Sequence, residues 1–449
     1  MRWPDIFYDE RSPLHTPHGD GRPKNRRATT FASKNACTAN DSNNSPLSAA
    51  SLSPKELDDK GNVHGLNIAI TIVALAVLLL GLVSTVLNDM ASPPKYDYSQ
   101  LTFNWHNDPA SYLEPVMAPN FTYNVVLEAH AHTTHSDGDM TPEQLVEYYR
   151  ANGFNAAIVS DHNTVAGGLA AERYAQRQYP GQFVVIPAQE YSCCRVHMNF
   201  INIRETIPVV QAFPTDSELK EAIDRVHALG GLVVVNHIPW SNSTTAGYPD
   251  TATLPNHPNR EDLVAMGVDG FELVNGQVFD TRSYRFVQNH NAQHPEDPLL
   301  VVTGNDVHRP QSVYSWTVLQ TRNGNQPLTA QAVFAELQAG RTDFLFEPSG
   351  TRQHAVPQRN SRYWLLAPLT NLGEYFKTYY DRQRGMYSFT GEFCQPQIFE
   401  VHTAAILSLA MYLVVAVVSV ELVSLALFFG KSGYRRRARW RVQPHPSAS

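Results

Sequence analysis

Between residues 130 and 308, six short stretches supply histidine, aspartate and glutamate in an order that suits one shared metal site. They are His130-Ala-His132 with Ser136-Asp137-Gly138, then Asp161-His162, Glu190, His197, His237 within Asn-His-Ile-Pro, and Asp306-Val-His308. Neutral imidazole and carboxylate are good ligands for borderline and hard divalent cations. A set this dense can hold more than one ion, and closely spaced ions activate water and clamp a phosphoryl or acyl oxygen together. The chemistry this implies is hydrolysis.

The elements that must position these residues follow from hydropathy patterning. Residues 125–129, 156–159, 183–186, 198–203, 232–235, 271–274 and 299–302 are apolar runs that read as strands. Helical patterns lie between them, one starting at Thr141-Pro142, one over 169–178 and one over 216–229 that stops at Gly230-Gly231. Continuous apolar strands alternating with amphipathic helices imply a parallel sheet, and this many units favour a barrel. The candidate ligands fall at the C-terminal ends of the strands, where barrel enzymes gather their active sites.

The whole chain bounds the setting. Its 449 residues carry a net charge of -7, which argues against a surface dedicated to nucleic acid. Four cysteines are too few for a disulfide framework. Residues 66–87 lack any charged side chain, and residues 404–429 carry only Glu421. Each run is long enough to span a bilayer core of ~30 Å. In the second span Glu421 would face a partner helix or snorkel to a head group. Lys431, Arg435, Arg436, Arg437, Arg439 and Arg441 follow that span, while Lys55 and Lys60 precede the first. Both termini are therefore expected in the cytoplasm, with residues 88–403 lumenal or extracellular. Asn120-Phe-Thr and Asn242-Ser-Thr are glycosylation acceptors in that segment, and Cys394 could pair there with Cys193 or Cys194. The expected order is a disordered tail (1–65), a span (66–87), a linker (88–120), the catalytic domain (121–346), an aromatic-rich extension on the barrel or the membrane interface (347–403), a second span (404–429) and a basic tail (430–449).

The motifs resemble those of the PHP (polymerase and histidinol phosphatase) metallohydrolase superfamily, and are closest to its stand-alone members. His130-Ala-His-Thr-Thr-His-Ser-Asp-Gly138 is similar to the first motif and Val159-Ser-Asp-His-Asn-Thr164 to the second. Pro187-Ala-Gln-Glu190, the strand ending in Asn236-His-Ile-Pro239, and Gly304-Asn-Asp-Val-His308 are similar to the later ones. The resemblance implies a distorted (β/α)7 TIM-like barrel, here flanked by two transmembrane helices. It also implies up to three divalent ions (Zn, Mn or Fe) and a phosphoesterase acting through a metal-bound hydroxide. One ion would use His130, His132, Glu190 and Asp306. A second would share Glu190 with His197 and His237, and a third would use Asp137, His162 and His308. Ile238 between His237 and Pro239, and Ala188 before Glu190, depart from the pattern without removing a ligand.

Other residues have two readings each. Asp306 and Asp161 are candidates to handle the leaving-group proton, and Asp161 is also placed to orient a histidine. His135 reads as a supporting or surface residue. Arg195 and Arg309 flank ligands and could bind phosphate, or they are solvated loop arginines. The substrate expected is a phosphorylated small molecule or a lipid or glycolipid head group. Alternatives are a carboxyl or carbamate ester on the same site, or a membrane receptor or scaffold that keeps metals without turnover.

Overall fold

The computed structural model describes residues 68–81, 83–84, 96–241, 254–321, 327–352, 354, 357–383, 394 and 398–440. The 1–65 tail, the Asn242 acceptor and residues 441–449 lie outside the described residues. The chain divides into two units, 81–411 and a second formed by 2–80 and 412–449. The candidate site belongs wholly to the first.

That unit is an α/β fold around a curled sheet. Strand β1 (Val125–Glu128) leads to α1 (Pro142–Ala151), which starts where the sequence places it. Thr141 and Gln144 exchange side-chain and backbone hydrogen bonds in a capping box, and Pro142 sits in the first turn, where its missing N–H costs nothing. Then come β2 (Ala156–Val159), α2 (Ala166–Gln178) and β3 (Val184–Ser192), giving three neighbouring parallel strands. Further on, β5 (Leu232–Val235), β6 (Gly270–Asn275) and β8 (Leu300–Gly304) also run parallel, with the two-residue β7 (Val278–Phe279) antiparallel to β6.

The wholly parallel sheet expected from the apolar runs needs correction at two places. Strand β4 (His197–Ile201) is antiparallel to both β3 and β5. Only Cys193 to Val196 separate β3 from β4, which is a hairpin turn and far too short for a parallel crossover. At the far edge, β9 (Ser315–Leu319) runs antiparallel to β1 and to β10 (Thr342–Phe346). The sheet curls until the ends of β8 and β1 meet. Ala131 and Val307 form an isolated parallel bridge there, and Asp306 N–H donates to His130 O at 3.0 Å.

Both sheet faces are apolar because successive residues serve different cores. On β5, Leu232 and Val234 join one buried cluster, while Val233 and Val235 join another. The first of these is closed by Val333, Phe334 and Leu337 of the helix Ala330–Gln338.

The described part of the expected 88–120 linker is built into this body. Phe103 and Trp105 pack on a core cluster, and the Asp343 carboxylate accepts N–H bonds from Met117 and Ala118. In the extension, the helix Ser361–Phe376 precedes strand Tyr380–Gln383, which pairs antiparallel with Ile398–Val401. Cys394 is bonded to Cys194 in the β3–β4 turn, leaving Cys193 a buried thiol.

Among the described residues one helix is long and apolar enough to cross a membrane, Thr403–Leu427. Residues 68–81 of the first apolar run form a shorter apolar helix, and the run's ends lie outside the described residues, so of the two expected spans one is found at full length among the described residues.

Trp316 on β9 is fully buried and donates its indole N–H to Asn152 O at 3.0 Å. Trp316→Ala removes that packing and that bond, and is expected to lower unfolding free energy by about 3–5 kcal/mol in denaturant titration. A loss below about 1 kcal/mol would show that the site can collapse.

Candidate metal centre

The strand ends knit together just beyond the regular ladders. His132 N–H bonds Val307 O, Ser160 N–H bonds Ala131 O, and Glu190 N–H bonds Ser160 O. Residues 130–132, 160–162, 190 and 306–308 thus share one floor, and β4 and β5 add His197 and His237 at its side. Two of these residues have left-handed backbones, His237 (φ 26°) and Asp306 (φ 50°). Non-glycine residues seldom adopt that region without a surrounding structure that enforces it. His237 turns directly into the short helix Ile238–Ser241, so the Ile238 insertion coincides with the bend.

All nine residues expected at a metal site are brought together. Their potential ligand atoms form four overlapping groups, each within 4.8 Å: His132, Asp137, His162 and His308; His130, His132 and Glu190; His130, His237 and Asp306; His162, Glu190 and His197. The grouping differs from the three sets implied by the resemblance, because His132 faces the Asp137 side and His162 faces Glu190. The carboxylate of Glu190 is the hub. Its Oε1 lies 2.9 Å from His237, 3.2 Å from His197 and 3.4 Å from His130, and its Oε2 lies 2.7 Å from His162 and 3.6 Å from His132.

Among the described residues several facing atoms are buried without a hydrogen bond, namely Nε2 of His130 and His132, Oδ2 of Asp137 and Oδ1 of Asp306, with His132 Nε2 and Asp306 Oδ1 in contact at 3.0 Å. An unpaired buried polar atom costs about 1–3 kcal/mol, so such a concentration needs a reason. Divalent cations fit it, since each of these atoms belongs to an accepted ligand type and offers a lone pair once deprotonated.

The charge balance points the same way. Desolvation works to raise Glu190, but the charges of His162, His130 and His197 outweigh it and hold the carboxyl well below its usual range. Asp306 and Asp137 are likewise lowered against desolvation, by His130 and His308 foremost. Desolvation opposes a proton on His130 and His308 too, yet neighbouring carboxylates win. Asp306 and Glu272 lift His130 well above its ordinary value, and Asp137 lifts His308 to about 10. Burial lowers His132 and His197. The carboxylates stay ionised, and some imidazoles must take protons as counter-charge unless cations supply it.

Supporting residues that sequence reasoning missed sit inside apolar strands. Glu272 on β6 receives Nδ1–H of His130 at 3.1 Å and the His237 backbone N–H at 2.9 Å. One carboxylate thereby fixes two candidate ligands, turning His130 Nε2 toward Glu190. Glu128 on β1 accepts the backbone N–H groups of His130 and Asn305 and the Asn305 side chain at 2.6 Å, locking β1 to β8. Burial pushes Glu128 up to about 8, against the hydrogen bonds of Asn305 and His130. The only signal was a lone glutamate in each apolar run. Asn236 adds an N–H bond to Glu190 Oε1 at 2.9 Å, and Ser192 Oγ lies 2.6 Å from His162 Nδ1.

The remaining candidates are placed elsewhere. Asp161 is fully buried and its oxygens accept from Thr133 N–H, Thr133 Oγ1 and Ser136 Oγ at 2.7–2.8 Å, so it shapes the loop that carries Asp137. Arg195 is spent on Asn256 O, Pro214 O and Asp216. Arg309 is half exposed near Asp139, and His135 is exposed.

No protein-family model matches the sequence, and no curated protein shows significant similarity to it. Solved structures similar to parts of the chain include the following three. One, from Bacteroides vulgatus, is a two-domain protein with a predicted PHP-like metal-dependent phosphoesterase; it shares 18% identity over 61% of this chain and 76% of its own, at TM-score 0.39. Another, assigned as a metal-dependent phosphoesterase of Bifidobacterium adolescentis, shares 18% identity over 48% and 96%, at TM-score 0.33. An amidohydrolase from Chromobacterium violaceum, with bound sulfate and no metal, shares 16% over 49% and 98%, at TM-score 0.31. The chemistry rests on the residues described above.

A Cβ at Gly304 would collide with Glu272 Oε1 and His130 Cβ. Gly304→Ala is expected to break the His130–Glu272 contact, visible as a displaced His130 ring in a structure of the variant, and to lower stability by about 1–3 kcal/mol. An unmoved ring would show that the contact does not set its position.

Proposed function

We propose that this chain is a membrane-anchored, metal-dependent hydrolase of the PHP type, built on a distorted (β/α)7 barrel and acting as a phosphoesterase. The observation that carries this reading is the convergence of nine potential ligands around Glu190, with buried lone pairs left unbonded. His130, His132, Asp137, His162, Glu190, His197, His237, Asp306 and His308 would hold up to three ions, with Zn, Mn and Fe all compatible with this donor set. When bound, such ions supply Lewis-acid activation of water and neutralise charge on phosphoryl oxygens.

The chain's own residues do the rest. Glu272 and Glu128 hold His130 from its ring and its backbone, so the ligand set is formed before substrate arrives. Asp306, 18% exposed and held ionised, is the proton acceptor at the open side of the cluster. Asp161 keeps the Asp137 loop in place and does not move the proton.

Anchoring is supported by the apolar helix Thr403–Leu427, none of whose most apolar window is buried within the protein. An all-apolar helix with no cover needs an apolar medium. The basic residues from Lys431 to Arg441 favour a cytoplasmic C-terminus with the catalytic unit on the opposite side, a setting that the Cys194–Cys394 disulfide and the exposed Asn120 acceptor suit. The 66–87 run would be the second span. A phosphorylated small molecule or a lipid or glycolipid head group is the proposed substrate.

The test is turnover of a phosphomonoester, a phosphodiester and an aryl ester by purified protein. We expect phosphoester hydrolysis that a chelator abolishes and a His130→Ala, His132→Ala double variant loses by at least about 10³-fold. Ester hydrolysis alone would favour the carboxyl-ester alternative, and bound metal without turnover would favour a receptor or scaffold.

Metal uptake should also release protons, because the surrounding carboxylates favour the protonated form of His308 and of His130 in the metal-free protein. His308 is lifted to about 10 and His130 is shifted in the same direction, so affinity must rise with pH and fall as the medium becomes acidic. Titration calorimetry in buffers of different ionisation enthalpy is expected to show net proton release on metal binding at pH 7. A buffer-independent heat would contradict this.

A further inference from the structure

After β4 the chain runs through Ile207-Pro-Val-Val-Gln-Ala-Phe-Pro214 before the helix Asp216–Ala228 begins. No residue from Thr206 to Thr215 is charged. Val210 is 81% exposed and Phe213 is 42% exposed, while Val209 packs partly against the core. Gln211 is the one polar side chain between Ile207 and Pro214, and its amide is turned back to Glu218 at 2.7 Å. The charged neighbours on either side are occupied too, Glu205 by Arg225 and Asp216 by Arg195. What the tip of this loop offers to its surroundings is hydrocarbon.

The loop is held at both roots. At one, Gln189 and Ile207 exchange two hydrogen bonds of 2.8 Å between side chain and backbone, and Thr206 Oγ1 accepts Val165 N–H at 3.3 Å. At the other, Ala212 O accepts Cys194 N–H at 2.7 Å, and Thr215 caps the helix that follows. Valine and phenylalanine side chains gain by leaving water, yet these fixed roots leave Val210 and Phe213 outside the core.

An exposed apolar patch marks a surface that meets protein or lipid, and the covalent structure favours lipid. Cys194, whose N–H holds the loop, is bonded to Cys394, with Cα atoms 5.0 Å apart. From Cys394 it is nine residues to Thr403, where the long apolar helix starts. Nine extended residues reach about 30 Å at most, which tethers the root of the loop to the point of membrane entry. Residues 403–411 belong to the same unit as the loop.

We propose that Val210 and Phe213 insert at the head-group boundary of the bilayer that the Thr403–Leu427 helix enters, giving the catalytic unit a lipid contact of its own. This rests on the anchored reading of the chain and extends it. Side chains of this kind, free of nearby unpaired charge, are those that seat in the boundary between head groups and acyl chains. The roots lie on β3 and the turn after it, so the contact holds the strand that carries Glu190 near the lipid surface.

The test uses the full chain reconstituted into phosphatidylcholine vesicles, with the photoreactive residue p-benzoylphenylalanine placed singly at Val210, Phe213, Gln178 and Val417. Gln178 is exposed at the end of α2, before the start of β3, and Val417 is exposed on the long apolar helix. After illumination, mass spectrometry is expected to find lipid adducts at Val210 and Phe213 at least about fivefold above those at Gln178. No lipid adduct at Val210 and Phe213, or yields equal to that at Gln178, overturns the inference. Adducts to protein in place of lipid overturn it in favour of a protein partner. If Val417 also fails to take lipid, the anchored reading falls and takes the inference with it. Should the two loop positions disagree, or the Phe213 variant fail to fold, Val210 decides, being the more exposed.

Discussion

The burial of one carboxylate among five imidazoles is the constraint on which the rest of this structure depends. Glu190 is fully inaccessible to solvent and within 3.6 Å of a ring nitrogen of His130, His132, His162, His197 and His237. An ionised carboxylate taken out of water is costly unless opposite charge and hydrogen bonds replace its hydration. Asn236 and protonated imidazoles supply part of that replacement in the metal-free chain. Asp137 and Asp306 add further buried negative charge, so divalent cations are the economical completion. The curled sheet, the β3–β4 hairpin and the left-handed turns at His237 and Asp306 all deliver side chains to that one oxygen pair.

Much of this was legible in the sequence, for physical reasons. Strands buried on both faces read as unbroken apolar runs, and polar ligand residues at their ends interrupt those runs visibly. His130, Asp161-His162 and Asp306 could therefore be located without coordinates. The α1 boundary was equally clear, because Thr141-Pro142 combines a cap with a residue that tolerates only the first turn. Strand direction was harder, since apolar runs carry no polarity, and the four-residue gap that excludes a crossover before His197 emerges only because β3 runs on to Ser192. Glu128 and Glu272 were hidden for a different reason. A single glutamate in an apolar strand looks like a position that reaches solvent, and only the folded chain brings Asn305 and His130 to meet them. Arg195 stood open between phosphate binding and a loop role from its place beside a candidate ligand, and in the fold Asn256 O, Pro214 O and Asp216 take its guanidinium.

The disulfide gives the site a covalent link to the segment before the long apolar helix. Cys194 lies in the turn between Ser192, which contacts His162, and His197, while Cys394 precedes the strand Ile398–Val401 and the helix beginning at Thr403. Closing a loop of 200 residues restricts the unfolded chain strongly, so the bond stabilises the fold as well as fixing the turn.

The most direct measurement is anomalous diffraction at the zinc, manganese and iron edges from crystals of the purified protein. At least two peaks are expected, each about 2.0–2.3 Å from ligand atoms, with the Glu190 carboxylate shared between neighbours. A cluster free of anomalous signal after incubation with each metal, with Glu190 still buried and its histidines still in contact, would contradict the reading of this site as a metal centre.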